Sequence, residues 1–168
     1  MIIWITGLPG SGKTSLSNAI VNGLSKDGIA CVQLDGDQLR SILPFKIGYS
    51  IEERRKISMF YAKLAVQIEG PNTLVVCSFV SLFHPVRCHV RDNSTRYLEV
   101  YINPPLSALN DYNKKSLYTS NDSHSVPSQL SEYDFPTTPD IIIPEVVDDS
   151  NQYHYFNEFR NLWFCPDK

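Results

Sequence analysis

Gly7-Leu8-Pro9-Gly10-Ser11-Gly12-Lys13-Thr14 fits the pattern G-x-x-x-x-G-K-[ST], and each residue type in it has a task in holding phosphate. The glycines let successive backbone N–H groups turn inward on phosphate oxygens. A helix starting at Lys13 adds the partial positive charge of its N-terminus, and the Lys13 ammonium neutralises the outer phosphates. Thr14 offers a hydroxyl to magnesium, and Ser15 follows in the same first turn. Residues Gly7 to Ser15 are therefore expected to bind a nucleoside triphosphate, ATP or GTP, with Mg2+.

The second chemically able stretch is LDGDQLR, residues 34 to 40. Asp35 closes an apolar run and should open onto the same crevice as the phosphate loop. A carboxylate there can orient an attacking hydroxyl and accept its proton while magnesium and Lys13 hold the transferred phosphoryl group. Asp37 begins a short helix and is expected to cap the N–H groups of Leu39 and Arg40. Arg40, one turn on, suits either an anionic group of the acceptor or a solvated surface. A dedicated metal site on the two aspartates is set aside, because Thr14 and the ATP phosphates can already hold magnesium.

These residues need a scaffold that brings strand ends together. Ile2 to Thr6 reads as a parallel strand buried on both faces. Leu16, Ala19, Ile20 and Leu24 keep helical spacing from Lys13 to about Leu24, and Asp27-Gly28 stops that helix. Further strands are expected at Ala30 to Leu34, Thr73 to Cys77, Tyr97 to Ile102 and Asp140 to Ile143. A long helix capped by Ser50 should run from about Ile51 to Glu69, ending at Gly70-Pro71, and another is expected between Ser150 and Phe164. Alternating strands and helices predict an α/β fold, a three-layer sandwich whose parallel sheet is covered by helices on both faces. The whole chain, 1–168, is expected to be a single domain. Asn110 to Pro139 is polar and aperiodic, as a lid or a structureless loop would be.

Composition narrows the class. The 168 residues are 42% hydrophobic with a net charge of −3, enough apolar material for one core and no cationic patch for a nucleic-acid backbone. No run reads as a signal peptide or membrane span, and Cys31, Cys77, Cys88 and Cys165 form no CxxC pair. A cytoplasmic protein with reduced thiols is expected, with no nucleic-acid or membrane partner. His84, His89, His124 and His154 lack metal-ligand spacing, and Cys88 at helical distance from His84 is weak support for zinc. The aromatic tail from Tyr153 to Phe164 should pack on the core or form a homodimer surface. A switch GTPase would carry N-K-x-D after a late strand, where this chain has Asn103-Pro104-Pro105-Leu106. A motor ATPase would end an apolar strand in Asp, where Leu74-Val75-Val76-Cys77-Ser78 ends in small neutral residues. A small-molecule kinase is favoured, and a regulatory nucleotide-binding module is the competing class.

Taken in order, IWITGLPGSGKT, LDGDQLR, GYSIEERR, SLFHPVRCHVR, EVYINPPL, KSLY and YDFPTTPD resemble the adenylylsulfate kinase family. Those enzymes phosphorylate the ribose 3′-hydroxyl of adenosine 5′-phosphosulfate. The resemblance implies that Asp35 sits at the attacking hydroxyl. It also implies that Arg40, Tyr49 and Arg54 line the acceptor pocket, Lys115 reaches in from the lid, and Ser81 lies close to the phosphates. Asp37 belongs to the same acceptor side. With Asp35, Lys13 and Ser81 form the expected catalytic set, and the partner is a small nucleotide acceptor.

The chain departs from the family where the acceptor binds. The family's Asn-Ile-Arg-Arg is here Ile57-Ser58-Met59-Phe60. The lid is shorter, with Tyr112-Asn113 for Arg-Asp and Ser125-Val126-Pro127-Ser128 near the place of Gly-Phe-Thr-Gly. A pocket with fewer hydrogen-bonding partners points to an altered acceptor. Relatives in bacterial polysaccharide pathways that act on cytidine diphosphoramidate supply one alternative by analogy.

Overall fold

Ile2, Ile3, Trp4 and Ile5 are fully buried, as expected of a strand with neighbours on both edges and helices on both faces. We describe residues 1–111 and 130–164 from a computed structural model. This first strand, β1 (Ile2–Gly7), leads through the glycine-rich turn into α1 (Lys13–Lys26). Then come β2 (Cys31–Asp35), α2 (Gly36–Ser41), α3 (Ile51–Ile68), β3 (Leu74–Phe79), α4 (His84–Asn93), β4 (Tyr97–Ile102) and α5 (Leu106–Asp111). A 3-10 turn at Leu130–Glu132, β5 (Ile141–Ile143) and α6 (Gln152–Phe164) complete the described order.

The strands form one five-stranded sheet in the order β2-β3-β1-β4-β5, with every pairing parallel. The register aligns Asp35 with Ser78, Thr6 with Phe79 and Gly7 with Ile102, so the carboxyl ends of four strands meet along one edge. That edge is where an open α/β sheet offers its crevice.

Two cores flank the sheet. One packs Trp4, Phe79, Phe83, Val86 and Val90 against Ile57, Tyr61, Ala62 and Ala65 of α3. The other packs Ile3, Ile5, Val76 and Val100 against Leu16, Ala19, Ile20 and Leu24 of α1 and Phe156 and Phe159 of α6. The expected three-layer sandwich is therefore present. Of the C-terminal aromatics, Phe156 and Phe159 are buried on the α1 side as expected, whereas Tyr153 is exposed.

Local chemistry accounts for the boundaries. The Ser50 hydroxyl accepts from the Glu53 N–H while Glu53 accepts from the Ser50 N–H, a reciprocal box that opens α3 where expected. The strand β3 runs to Phe79, beyond the expected end at Cys77, because Ser78 and Phe79 still pair with β1. Helix α4 shows no long apolar stripe. It starts with Pro85 in its first turn and buries Arg87, whose guanidinium pairs with Glu99 of β4 at 3.0 Å, both groups nearly fully buried.

The closing part of the polar stretch 110–139 is built onto this body. Tyr133 is buried against Phe83, the Asp134 N–H donates to the Leu82 carbonyl at 2.7 Å, and Arg87 Nη1 donates to the Asp134 carbonyl at 2.7 Å. Tyr112, Asn113, Lys115, His124, Ser125 to Ser128 and Cys165 lie outside the described residues, as do the side chains of Trp163 and Phe164. Among the described residues Cys31, Cys77 and Cys88 are free thiols, and no helix is long and apolar enough to cross a membrane.

Candidate active site

The loop between β1 and α1 has a backbone that only its sequence permits. Gly10 and Gly12 sit at φ 78° and 95°, the left-handed region that side chains avoid. A Cβ on Gly12 would also run into the backbone of Val147, whose N–H donates to the Ser11 carbonyl at 3.0 Å. Leu8 and Ser11 are buried, Pro9 and Ser15 partly so, and Gly10 and Thr14 face solvent. Lys13 is buried, with Nζ donating to the Leu8 carbonyl at 2.8 Å, so its charge lies inside the arch of the loop. The hydroxyls of Ser11 and Ser81 are buried with no hydrogen-bond partner. An orphaned donor inside the loop, as Ser11 is, suits a ligand rich in acceptor oxygens.

Asp35 stands at the end of β2 with both carboxylate oxygens engaged. Oδ1 accepts from the N–H groups of Asp37 and Gln38 at 3.0 and 3.2 Å, and Oδ2 accepts from Thr14 Oγ1 and Ser78 Oγ, each at 2.8 Å. The cap of α2 is thus Asp35, and the expectation that Asp37 caps this helix is corrected. The physical reason is that β2 delivers Asp35 in extended conformation (φ −104°, ψ 135°), so the helix begins at Gly36, one residue earlier than expected. Asp37 is exposed in the first turn.

The geometry also fits a magnesium ion beside Thr14. By donating its proton to Asp35, the Thr14 hydroxyl keeps its oxygen lone pairs for a hard cation, and a carboxylate stands next to it. Among the described residues no group of three or more His, Cys, Asp or Glu could hold a metal alone, and His84 with Cys88 forms an isolated contact at 3.3 Å.

Beyond α2, Arg40, Tyr49 and Arg54 come together. Arg40 Nη2 donates to the carbonyls of Ile47 and Gly48, and its guanidinium lies 4.1 Å from the Tyr49 ring centroid. Arg54 donates Nε to the Tyr49 carbonyl at 2.9 Å and sits 5.3 Å from the same ring. Glu53 fixes the turn beneath them by accepting from the Gly48 N–H at 2.9 Å. Tyr49 is 53% exposed, a ring with two cations against it.

Two groups of the expected residues form: Asp35 is bonded to Thr14 of the loop, and Arg40, Tyr49 and Arg54 cluster on one another. Ser81 is buried, Asp37 is exposed, and Lys115 lies outside the described residues. Sequence reasoning missed Ser78. Its signal was the register itself, since a strand continued two residues past Cys77 places Ser78 beside Asp35.

A parallel sheet in this order, a phosphate cradle after its central strand and a carboxylate bonded to the cradle's threonine define a P-loop nucleotide-binding fold. Comparison with known proteins narrows this. A family model described as adenylylsulphate kinase matches residues 1–144. A probable adenylyl-sulfate kinase of Pseudomonas aeruginosa is 34% identical over 143 residues, covering 83% of this chain and 67% of that protein. One from Bacillus subtilis is 31% identical over 147 residues, covering 84% and 75%. The structure of the Mycobacterium tuberculosis APS kinase CysC in complex with AMPPNP and APS superposes with a TM-score of 0.78 at 25% identity, covering 96% of this chain and 95% of that one. Shikimate kinase from Bacteroides thetaiotaomicron, with a TM-score of 0.67 at 14% identity, shares the fold. The chain belongs to the adenylylsulphate kinase family, and it is an ATP-dependent kinase of that kind.

Proposed function

We propose that this kinase transfers the γ-phosphoryl group of ATP to the 3′-hydroxyl of adenosine 5′-phosphosulfate. The observation that carries the reading is the hydrogen bond from Thr14 to Asp35, which ties the triphosphate cradle to the carboxylate facing the acceptor side. Residues Gly7 to Ser15 hold the triphosphate through inward N–H groups, and Lys13 neutralises the outer phosphates. Thr14 would hold Mg2+, with Asp35 orienting its hydroxyl. When bound, the ion neutralises charge that develops on the phosphates.

Asp35 orients the attacking hydroxyl and accepts its proton. Its Oδ1 is fixed by backbone N–H groups, whereas Oδ2 is held by two rotatable hydroxyls that can yield to a substrate. The buried Ser81 hydroxyl donates to a phosphate oxygen. Tyr49 is the platform for the acceptor base. Arg40 and Arg54 meet its anionic end with N–H groups left over from their backbone bonds, and Asp37 and Lys115 complete the acceptor side. A cytoplasmic location and a homodimer belong to the same reading.

The test is an acceptor panel. Purified protein is incubated with ATP, magnesium and, in turn, adenosine 5′-phosphosulfate, adenosine nucleotides and cytidine nucleotides, following ADP release and product mass. The expected result is ADP release that depends on adenosine 5′-phosphosulfate. Turnover with a cytidine nucleotide alone would replace the acceptor, and ATP binding without acceptor-dependent turnover would indicate a regulatory module.

A further inference from the structure

Tyr61 on α3 is 4% exposed, and its hydroxyl is buried with no hydrogen-bond partner. The ring is held firmly, stacked on Phe79 with centroids 4.9 Å apart and planes 20° from parallel. Phe79 in turn lies against Gly36, the residue between Asp35 and Asp37. It directly follows Ser78, whose hydroxyl bonds to Asp35. Stack and turn thus place this tyrosine behind the aspartate turn, with the Phe79 ring between them. Burial raises the pKa of the phenol, and the charges of Arg40, Asp37 and Asp35 act on it, so it stays protonated and can donate.

An apolar ring would fill this position without the cost of an orphaned hydroxyl, since an unpaired buried O–H forfeits the hydrogen bonds it had in water. The orphan is therefore informative. It follows directly on Ile57-Ser58-Met59-Phe60, where the chain departs from the family's polar residues.

Building on the proposed acceptor site, we infer that Tyr61 is a specificity-determining residue whose hydroxyl donates to an oxygen of the nucleotide acceptor's sugar-phosphate portion. Binding supplies the partner that the free protein lacks. An acceptor with no oxygen at that place leaves the hydroxyl orphaned and is discriminated against.

The experiment compares wild type with Tyr61→Phe, which keeps the ring and its stack. Acceptor and ATP half-saturation, turnover and thermal unfolding are measured, with adenosine 5′-phosphosulfate as the first acceptor and the remaining panel nucleotides after it. On whichever nucleotide the wild type phosphorylates, the expected result is a rise of about 10-fold in acceptor half-saturation. ATP half-saturation should be unchanged, and the unfolding temperature unchanged or higher. This combination separates recognition from a structural role, which would lower the unfolding temperature. Unchanged acceptor half-saturation in Tyr61→Phe, with an active wild type, overturns the inference and leaves the kinase reading standing. Absence of wild-type turnover on every panel nucleotide overturns both.

Discussion

Thr14 Oγ1 donates to Asp35 Oδ2 at 2.8 Å, joining the first turn of α1 to the end of β2. A hydroxyl has one proton and two lone pairs, so this single bond fixes how the threonine oxygen presents itself to a cation. Ser78 Oγ shares the same carboxylate oxygen from the neighbouring strand. The carboxylate of Asp35 thus stands directly beside the phosphate cradle.

Gly12→Ala should abolish nucleotide binding. The position is left-handed at φ 95°, and a methyl group would displace the Val147 backbone. Left-handed strain alone costs about 1 kcal/mol or more. The measurements are thermal unfolding and titration with a non-hydrolysable ATP analogue. Unchanged affinity would show that the loop tolerates a side chain.

The fold was legible in the sequence because its signals are local. Apolar runs four to six residues long marked the strands, Ser50 marked the start of α3, and the glycine pattern fixed the loop between β1 and α1. Helix α4 was illegible from residue pattern because its buried face includes Arg87, whose burial is compensated by Glu99 on a distant strand. The cap of α2 was assigned to the wrong aspartate because spacing cannot tell where a strand hands over to a helix. That depends on how far β2 stays paired with β3. Ser78 and the orphaned Tyr61 hydroxyl follow from tertiary register and carry no local signal at all.

Arg40→Ala should raise acceptor half-saturation about 10-fold and leave ATP half-saturation unchanged. The guanidinium both stacks on Tyr49 and holds the carbonyls of Ile47 and Gly48, so the platform loosens as the cation is lost. Arg40→Lys should not restore affinity, because an ammonium cannot make the planar fork and the stack together. Steady-state kinetics with varied acceptor reads both variants.

Glu53→Gln should lower the unfolding temperature at neutral pH. The Ser50 hydroxyl first, and then the Gly48 and Ser50 N–H groups, hold the Glu53 pKa below its ordinary value. A depressed carboxylate contributes stability above its unfolded pKa and loses it as pH falls through the folded one. The difference between wild type and variant should therefore be full at pH 7 and shrink below about pH 4. Thermal scans across that range check the sign, and a difference that grows in acid would be inconsistent with the box.

The central claim is that Asp35 links nucleotide binding to transfer onto the acceptor, and the direct measurement is acceptor-dependent ADP release by wild type and Asp35→Asn at matched ATP saturation. The amide keeps an oxygen for the N–H groups of Asp37 and Gln38, so α2 remains capped. Adenosine 5′-phosphosulfate serves as acceptor, and binding of a non-hydrolysable ATP analogue is measured in parallel. The account predicts retained analogue affinity and turnover lower by about 10²-fold or more. Near-normal turnover in Asp35→Asn would contradict it.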